Sequence, residues 1–446
     1  MSMNSPKTNE QITRSIDLLR EFADKQIRAN GVPVEFPESI AHLSEKDFGD
    51  DDNVSRLDLR NLECMTIDCD DTHDMDDAVS LEETPNGYRL GVHIADVASY
   101  VEPCSPLDHE AMKRGASIYL PDRTIPMLPG ILSEELCSLN PGVDRRAISV
   151  MISIDKSGNV IAYSISKTLI RSRLKGVYSE VNDVLSGCAD VVVARKYEAV
   201  ESVLRKMAVL AGILRIGRMK RGADICDEGV AKIVLTDGDI ELETPYRGIA
   251  EKMIEEFMVL CNTLIGKYLE ENHLPGIYRT QAALGRLAMY EADANQHASL
   301  GVEGYVHFTS PIRRMPDLKV HQCLTMHLNG VSAEAIELFF GDTIGENSEL
   351  AVKRSRRAKN IEYACRKYCY SLYFDDHADV TFTGHMVGED KSGNGLLEID
   401  NLRIRVIAPK GRQLVEGCLY SFQVCIRGFK RTAQAYAVRR TATCVA

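Results

Sequence analysis

Thr66-Ile67-Asp68-Cys69-Asp70-Asp71-Thr72-His73-Asp74-Met75-Asp76-Asp77-Ala78-Val79 places six aspartates in ten residues. Its flanks are apolar: Cys64–Ile67 before it and Ala78–Leu81 after it read as strands. An acidic run is ordinarily a solvated loop. Carboxylates crowded beside buried strands are different, because they repel one another and resist desolvation. Divalent cations relieve that repulsion, so metal binding is the stronger reading. No cysteine–histidine pattern accompanies the run, which excludes a zinc site of the usual kind. An EF-hand starting at Asp68 needs Gly where His73 stands and Glu where Val79 stands. All-carboxylate ligation with open positions suits Mg²⁺ or Mn²⁺. Two such ions about 3.5–4 Å apart activate water and stabilise a leaving oxygen, which is what cleaving a phosphodiester requires.

A charged phosphoryl transition state also needs a cationic donor. Tyr305-Val306-His307-Phe308-Thr309-Ser310-Pro311-Ile312-Arg313-Arg314-Met315-Pro316-Asp317 offers two adjacent arginines in a turn between two prolines. The guanidinium fork matches phosphate oxygens and stays charged. By itself, such a turn equally suits helix capping or a surface salt bridge.

Around these two segments the chain is long and ordinary in composition. It has 446 residues, 44% hydrophobic and 26% charged, enough for a sizeable core. No apolar run reaches the roughly 18 residues needed to span a bilayer. The first eleven residues lack the basic and apolar regions of a signal peptide. The thirteen cysteines show no CxxC pair and read as reduced thiols of a cytoplasmic protein. A net charge of −12 argues against a nucleic-acid partner until its distribution is examined. Residues 377–446 carry ten Lys/Arg against six Asp/Glu, and Lys353–Lys367 carries seven against one. The acidic total therefore conceals two basic regions.

Texture divides the chain into three parts. Residues 1–57 read as a helix over 9–30, with Ile12, Ile16, Leu19, Phe22 and Ile27 on one side, followed by a linker with an acidic stretch at Asp47–Asp52. Residues 58–376 begin with short strands, including Leu90–Ala95, Ile148–Ile154 and Val160–Ile165. Helical patterns follow at 191–220, 250–272 and 318–328, and a charged helix is expected from near Ser348 to about Phe374. Strands first and helices later give an α+β fold. Residues 377–446 alternate in about five short runs broken by turns, which suggests a small OB-like barrel.

Several motifs together resemble the ribonuclease II/ribonuclease R (RNB) family. Asp68–Asp77 matches the family's DxxxxxDxDD metal-site motif. Asp58-Leu59-Arg60 precedes it, and His93-Ile94-Ala95-Asp96-Val97 is similar to the family's IADV strand. Tyr119-Leu120-Pro121, Ile125–Pro129, Leu136–Pro141, Met253–Met258 and His307–Arg314 follow in family order over about residues 55–375. The resemblance implies an RNB catalytic domain of mixed sheets and surrounding helices, followed by the barrel. It implies a 3′→5′ hydrolytic exoribonuclease that releases nucleoside 5′-monophosphates. Asp68, Asp74 and Asp77 would hold Mg²⁺, or Mn²⁺, with Asp76 serving a second ion and least replaceable. Arg313 would sit on the scissile phosphate or clamp the penultimate one. Tyr178 would stack on the 3′-terminal bases; a core aromatic at a helix start is its plainer alternative. Arg314, Tyr305 and Glu256 fall on the RNA-binding side of the same carry-over. The expected partner is single-stranded RNA, with no DNA substrate, no membrane and a monomeric state. Asp70, Asp71 and His73 lie outside the matched positions and are expected to face solvent or to support the ligands.

The chain also departs from the family pattern. Family members usually carry two N-terminal cold-shock barrels, and the ~57 residues before the catalytic region are few for even one. The segment between Arg279 and His297 is short, and Met315 stands where the family has tyrosine. These departures keep two other readings open: an RNA-binding adaptor with an RNB fold and little activity, and an endonuclease or phosphatase on another substrate. RNA grip is expected from residues 377–446 and Lys353–Lys367, so that truncation near 376 weakens long substrates more than short ones.

Overall fold

The computed structural model describes residues 9–49, 56–225, 229–236, 239–244, 247–409, 414–428 and 432–444. The N-terminal eight residues and Asp50–Asp52 of the acidic stretch lie outside the described residues, as do Lys410, Arg412, Lys430 and Arg431 of the basic C-terminal count.

Short apolar runs, largely buried on both faces, build the central sheet. Its strands are β1 (Leu57–Asp58), β2 (Cys64–Asp68), β3 (Asp77–Thr84), β4 (Gly87–Ala95), β5 (Asp144–Asp155), β6 (Val160–Arg171) and β7 (Lys175–Val177). They lie in the order β1-β6-β5-β4-β3-β2-β7. Most neighbours are antiparallel, whereas β1 joins β6 and β7 joins β2 in parallel. Alternation separates two faces. Val79, Leu81, Leu90, Val92, Ile94, Ile148, Val150 and Ile152 pack into one apolar cluster, while Ala78, Ala95 and Ala147 pack into another.

Helices cover both faces. The helices are α1 (Asn9–Ala29), α2 (Pro106–Arg114), α3 (Tyr178–Ser186), α4 (Glu201–Lys220), α5 (Ile249–Glu271), α6 (Met315–Leu328) and α7 (Ala333–Asp376); α1 packs on α7 and not on the sheet. Leu204, Met207 and Leu210 of α4 and Met253, Phe257 and Ile265 of α5 complete the first cluster. Leu107 and Ala111 of α2 and Met315 and Leu318 of α6 join the second.

Two helical expectations need correction. The 191–220 pattern is broken: a short helix covers Val191–Tyr197, and α4 starts at Glu201. Tyr197 is drawn away from the run because its hydroxyl accepts the Val177 N–H at 2.9 Å and donates to Glu180 at 2.7 Å. The charged helix starts at Ala333, not near Ser348. The Ser332 hydroxyl caps it by accepting the Ala335 N–H at 3.3 Å, and Gly341 and Gly345 are carried within it.

Five further strands, β8 (Phe382–Glu389), β9 (Gly395–Ile399), β10 (Ile404–Ile407), β11 (Cys418–Arg427) and β12 (Thr432–Cys444), form a closed barrel in the order β8-β9-β10-β12-β11. β11 returns to pair with β8, and β10 meets β12 in parallel. This is the OB-like barrel. Its interior holds Leu397, Val406, Phe422 and Val424, and Phe374 of α7 is buried with them. No described helix is long and apolar enough to cross a membrane.

Candidate active site

The acidic run sits where the sheet splits. The β2–β3 ladder pairs Cys64 with Ser80 and Met65 with Val79 and then ends. From Thr66 onward β2 pairs with β7 instead, bringing Asp68 beside Val177. A Cβ at Gly176 would stand 2.8 Å from the Thr66 carbonyl, so glycine permits this close approach. The loop between β2 and β3 is then pinned from several sides. Ser138 donates to the His73 carbonyl at 2.7 Å and accepts the Met75 N–H at 3.1 Å. Lys175 donates to the Asp70 and Thr72 carbonyls, each at 2.8 Å. Asp70, Asp71 and His73 point outward and are exposed. Asp76 is almost fully buried.

The second segment arrives at the same place. It forms the turn into α6, and the Ile312 N–H donates to Asp76 Oδ1 at 2.8 Å. Arg313 Nε donates to Asp76 Oδ2 at 3.2 Å, and its Nη2 donates to Ser310 Oγ at 2.8 Å. Two stretches more than two hundred residues apart are thereby joined through one carboxylate. Arg314 turns away, donating to Asp317 Oδ1 at 2.8 Å, which also accepts the Ser310 N–H. It shapes the turn that presents Arg313.

Electrostatics reflect the crowding. Burial, then the Asp76 charge, pushes the Asp68 carboxyl up to about 7, against the pull of Arg313. Burial and then Asp68 push Asp77 to about 7. Asp76 is also raised, by burial above all, while Arg313 and the Ile312 N–H oppose the rise. Partial burial of Arg313 disfavours its charge more than any one neighbour favours it, yet Asp76, Tyr119, Asp317 and Asp77 together outweigh it and hold the guanidinium protonated. Asp68 Oδ2 is buried and accepts no hydrogen bond among the described residues. Asp74 accepts a 2.7 Å hydrogen bond from the Tyr119 hydroxyl.

The oxygen-only donor set and the orphaned Asp68 oxygen fit a hard cation in kind. Yet among the described residues no three His, Cys, Asp or Glu side chains already converge on one metal-sized point. Arg313 holds Asp76 and Tyr119 holds Asp74, so these two carboxylates are turned to other partners.

The remaining candidates divide. Tyr178 opens α3 directly after β7; it is half-buried, and its hydroxyl is raised by burial and then by Asp77 and Asp68, which places it beside the cluster. Tyr305 is buried instead, its hydroxyl accepting the Asn262 amide at 3.0 Å. Glu256 is buried in the α4–α5 interface, accepting both Nε and Nη2 of Arg218 at 3.0 and 2.6 Å. In this structure neither offers a surface to RNA. Both belong to the packing that supports the site. Tyr119 and Glu362 were not singled out by their residue types. Glu362 Oε1 accepts the Tyr119 N–H at 3.0 Å, so α7 steadies the ring whose hydroxyl meets Asp74. The Tyr119-Leu120-Pro121 motif was the available signal for the first; the second needed the fold.

The RNB domain family model matches residues 56–286 and 282–330. The chain belongs to the RNB family. Among relatives of this RNB chain, ribonuclease R 1 of Lactococcus lactis is 32% identical, aligned over 88% of this chain and 55% of its own length. Ribonuclease R of Thermotoga maritima is 37% identical over 77% of this chain and 55% of its own length. The RNB chain thus spans about half the length of the curated relatives it matches. Among solved structures, Mycoplasma genitalium RNase R in complex with ribose-methylated single-stranded RNA superposes with a TM-score of 0.80 at 22% identity, covering 94% of this chain and 78% of that one. Yeast Ssd1, described as a pseudonuclease, superposes with a TM-score of 0.62 at 16% identity, covering 94% and 58%. These structural likenesses describe the fold.

Proposed function

We propose that this chain is a metal-dependent 3′→5′ exoribonuclease that hydrolyses single-stranded RNA to nucleoside 5′-monophosphates. The observation that carries the reading is the meeting of Asp76 with Ile312 and Arg313, beside a buried Asp68 oxygen that accepts no hydrogen bond among the described residues. Asp68, Asp74, Asp76 and Asp77 would hold divalent ions, Mg²⁺ or Mn²⁺. Two such ions would activate water and shield the leaving oxygen. The protein's own part is positional. Arg313 is fixed at Nε and Nη2 yet leaves its side chain 41% exposed, so its remaining donors can meet phosphate oxygens. The Ile312 N–H fixes one Asp76 oxygen, which limits how that carboxylate can turn. Tyr178, at the start of α3 beside the cluster, would stack on a terminal base, a contact open to every base. RNA and not DNA is the expected substrate, and a monomer the working unit.

The Arg313–Asp76 ion pair favours a second reading, because an arginine already on a carboxylate competes with a metal. In that case the chain binds RNA without cutting it. A gel time course on 5′-labelled RNA separates the two, run with Mg²⁺ or Mn²⁺, with EDTA, and on DNA of the same sequence. A short labelled end product formed only on RNA and only with metal supports the nuclease. A ladder of internal lengths indicates an endonuclease. Intact RNA with a retained gel shift supports the binding protein.

A further inference from the structure

The long helix α7 has two unlike sides. Ala358, Ile361 and Cys365 pack on Ala23 and Ile27 of α1, and Cys369 and Leu372 pack with Leu19. Arg356, Lys359, Tyr363 and Lys367 recur at spacings of three and four, which sets them on one stripe. All four are exposed, and Tyr363 is 66% exposed. A single surface aromatic needs no explanation by itself. This one stands between cations on the adjoining turns, within a stretch of seven basic residues and one acidic.

The stripe is also placed beside the acidic cluster. Glu362, next to Tyr363, accepts the Tyr119 N–H, and the Tyr119 hydroxyl reaches Asp74. Seven residues earlier, Arg356 Nη2 lies 3.0 Å from Met289 Sδ, which fixes that end of the stripe against the 289–291 strand. The chemistry is that of a nucleic-acid track. Cations meet phosphates, and an open ring offers a face to a base. Its positive charge complements a polyanion moving toward the carboxylates.

We propose that Tyr363 is a stacking platform for a base of single-stranded RNA lying along α7, with Arg356, Lys359 and Lys367 contacting the flanking phosphates. The inference rests on the RNA reading above and adds a subsite upstream of the terminal nucleotide.

The test measures binding in EDTA, so that nothing is cut, with a long single-stranded RNA carrying 2-aminopurine and with a trinucleotide. Tyr363→Ala should weaken the long RNA about tenfold and abolish quenching of at least one 2-aminopurine position. Tyr363→Phe should stay within about twofold of wild type, because stacking uses the ring and not the hydroxyl. The trinucleotide should bind all three proteins alike. Lys367→Ala should lower the salt slope of long-RNA binding by about one, whereas Tyr363→Ala leaves the slope unchanged. Wild-type affinity in the Ala variant overturns the platform. So does a Phe variant as weak as Ala, which would mean a hydrogen bond. Equal loss on the trinucleotide would place Tyr363 at the terminal site and overturn the upstream assignment. A wild-type protein that binds no RNA overturns the RNA reading itself, and the platform with it.

Discussion

Arg313 faces two demands at once. In this structure its Nε neutralises part of the Asp76 charge, and its remaining donors stay available. A lysine in its place keeps the charge but cannot hold Asp76, Ser310 and a phosphate with one rigid group. Arg313→Lys is therefore expected to lower kcat by about a hundredfold or more while KM moves little, measured by steady-state release of mononucleotides. Asp76→Asn should abolish turnover and leave RNA affinity nearly intact, because one amide oxygen can still accept the Ile312 N–H and preserve the turn. If binding fell as far as turnover, Asp76 would be holding the fold and not serving the reaction. The aspartates were legible in the sequence because apolar strands flank them, and the paired arginines because they fall within a family motif. Their mutual contact was not, since nothing local relates Asp76 to Ile312. Tyr119 and Glu362 were hidden for the same reason: each acts through a partner supplied by a distant element.

Between elements, the α4–α5 contact depends on Glu256. This carboxylate and Arg218 are both nearly inaccessible, and the pair is joined by two hydrogen bonds. Removing Glu256 leaves the buried Arg218 with the more exposed Glu255 at 3.0 Å, an incomplete compensation of a buried charge. Glu256→Ala is expected to destabilise the protein by about 3–5 kcal/mol in denaturant titration. Exchanging Glu256 and Arg218 together for Leu and Met should recover much of that loss. A variant of normal stability but poor RNA affinity would return Glu256 to the binding surface. The family motif drew attention to this position, and the structure places it in packing, because a motif marks constraint without saying whether packing or ligand imposes it. Strands were legible as short apolar runs, as in β4 and β5, whose long buried stretches reflect cover on both faces of the sheet. The start of α7 was not. Gly341 and Gly345 weaken a helix locally, and the Ser332 cap and packing of Ile336 and Phe340 override them.

Taken whole, the molecule carries uncompensated acidity in its interior. Asp68 and Asp77 rise from an ordinary 3.8 to about 7, through burial and then their acidic neighbours, with Arg313 opposing and Lys175 or Arg314 further off. Below about pH 4 both carboxyls are protonated folded or unfolded, and nothing is lost. Between that value and about 7 the unfolded chain releases protons that the fold retains, so metal-free stability falls as pH rises. Above that range the loss is complete and level. Melting curves in EDTA should therefore drop across this window. Mg²⁺ or Mn²⁺ should restore the loss at neutral pH, because an ion that binds only the folded state stabilises it by mass action. A flat EDTA profile would mean that Arg313 already balances the cluster.

The barrel was legible as alternating runs, but its attachment was not. Phe374 belongs in sequence to α7 and in space to the barrel interior, while Cys369 and Leu372, less than two turns before it, pack with α1. Cutting after residue 376 would leave Phe374 uncovered, so a truncation meant to test RNA grip needs a polar residue there as well. The shared helix has a calorimetric consequence. Neither part can melt and leave the other's apolar surface intact, so heating should give one endotherm whose van't Hoff and calorimetric enthalpies agree. Phe374→Ser should split that peak in two, the barrel melting first.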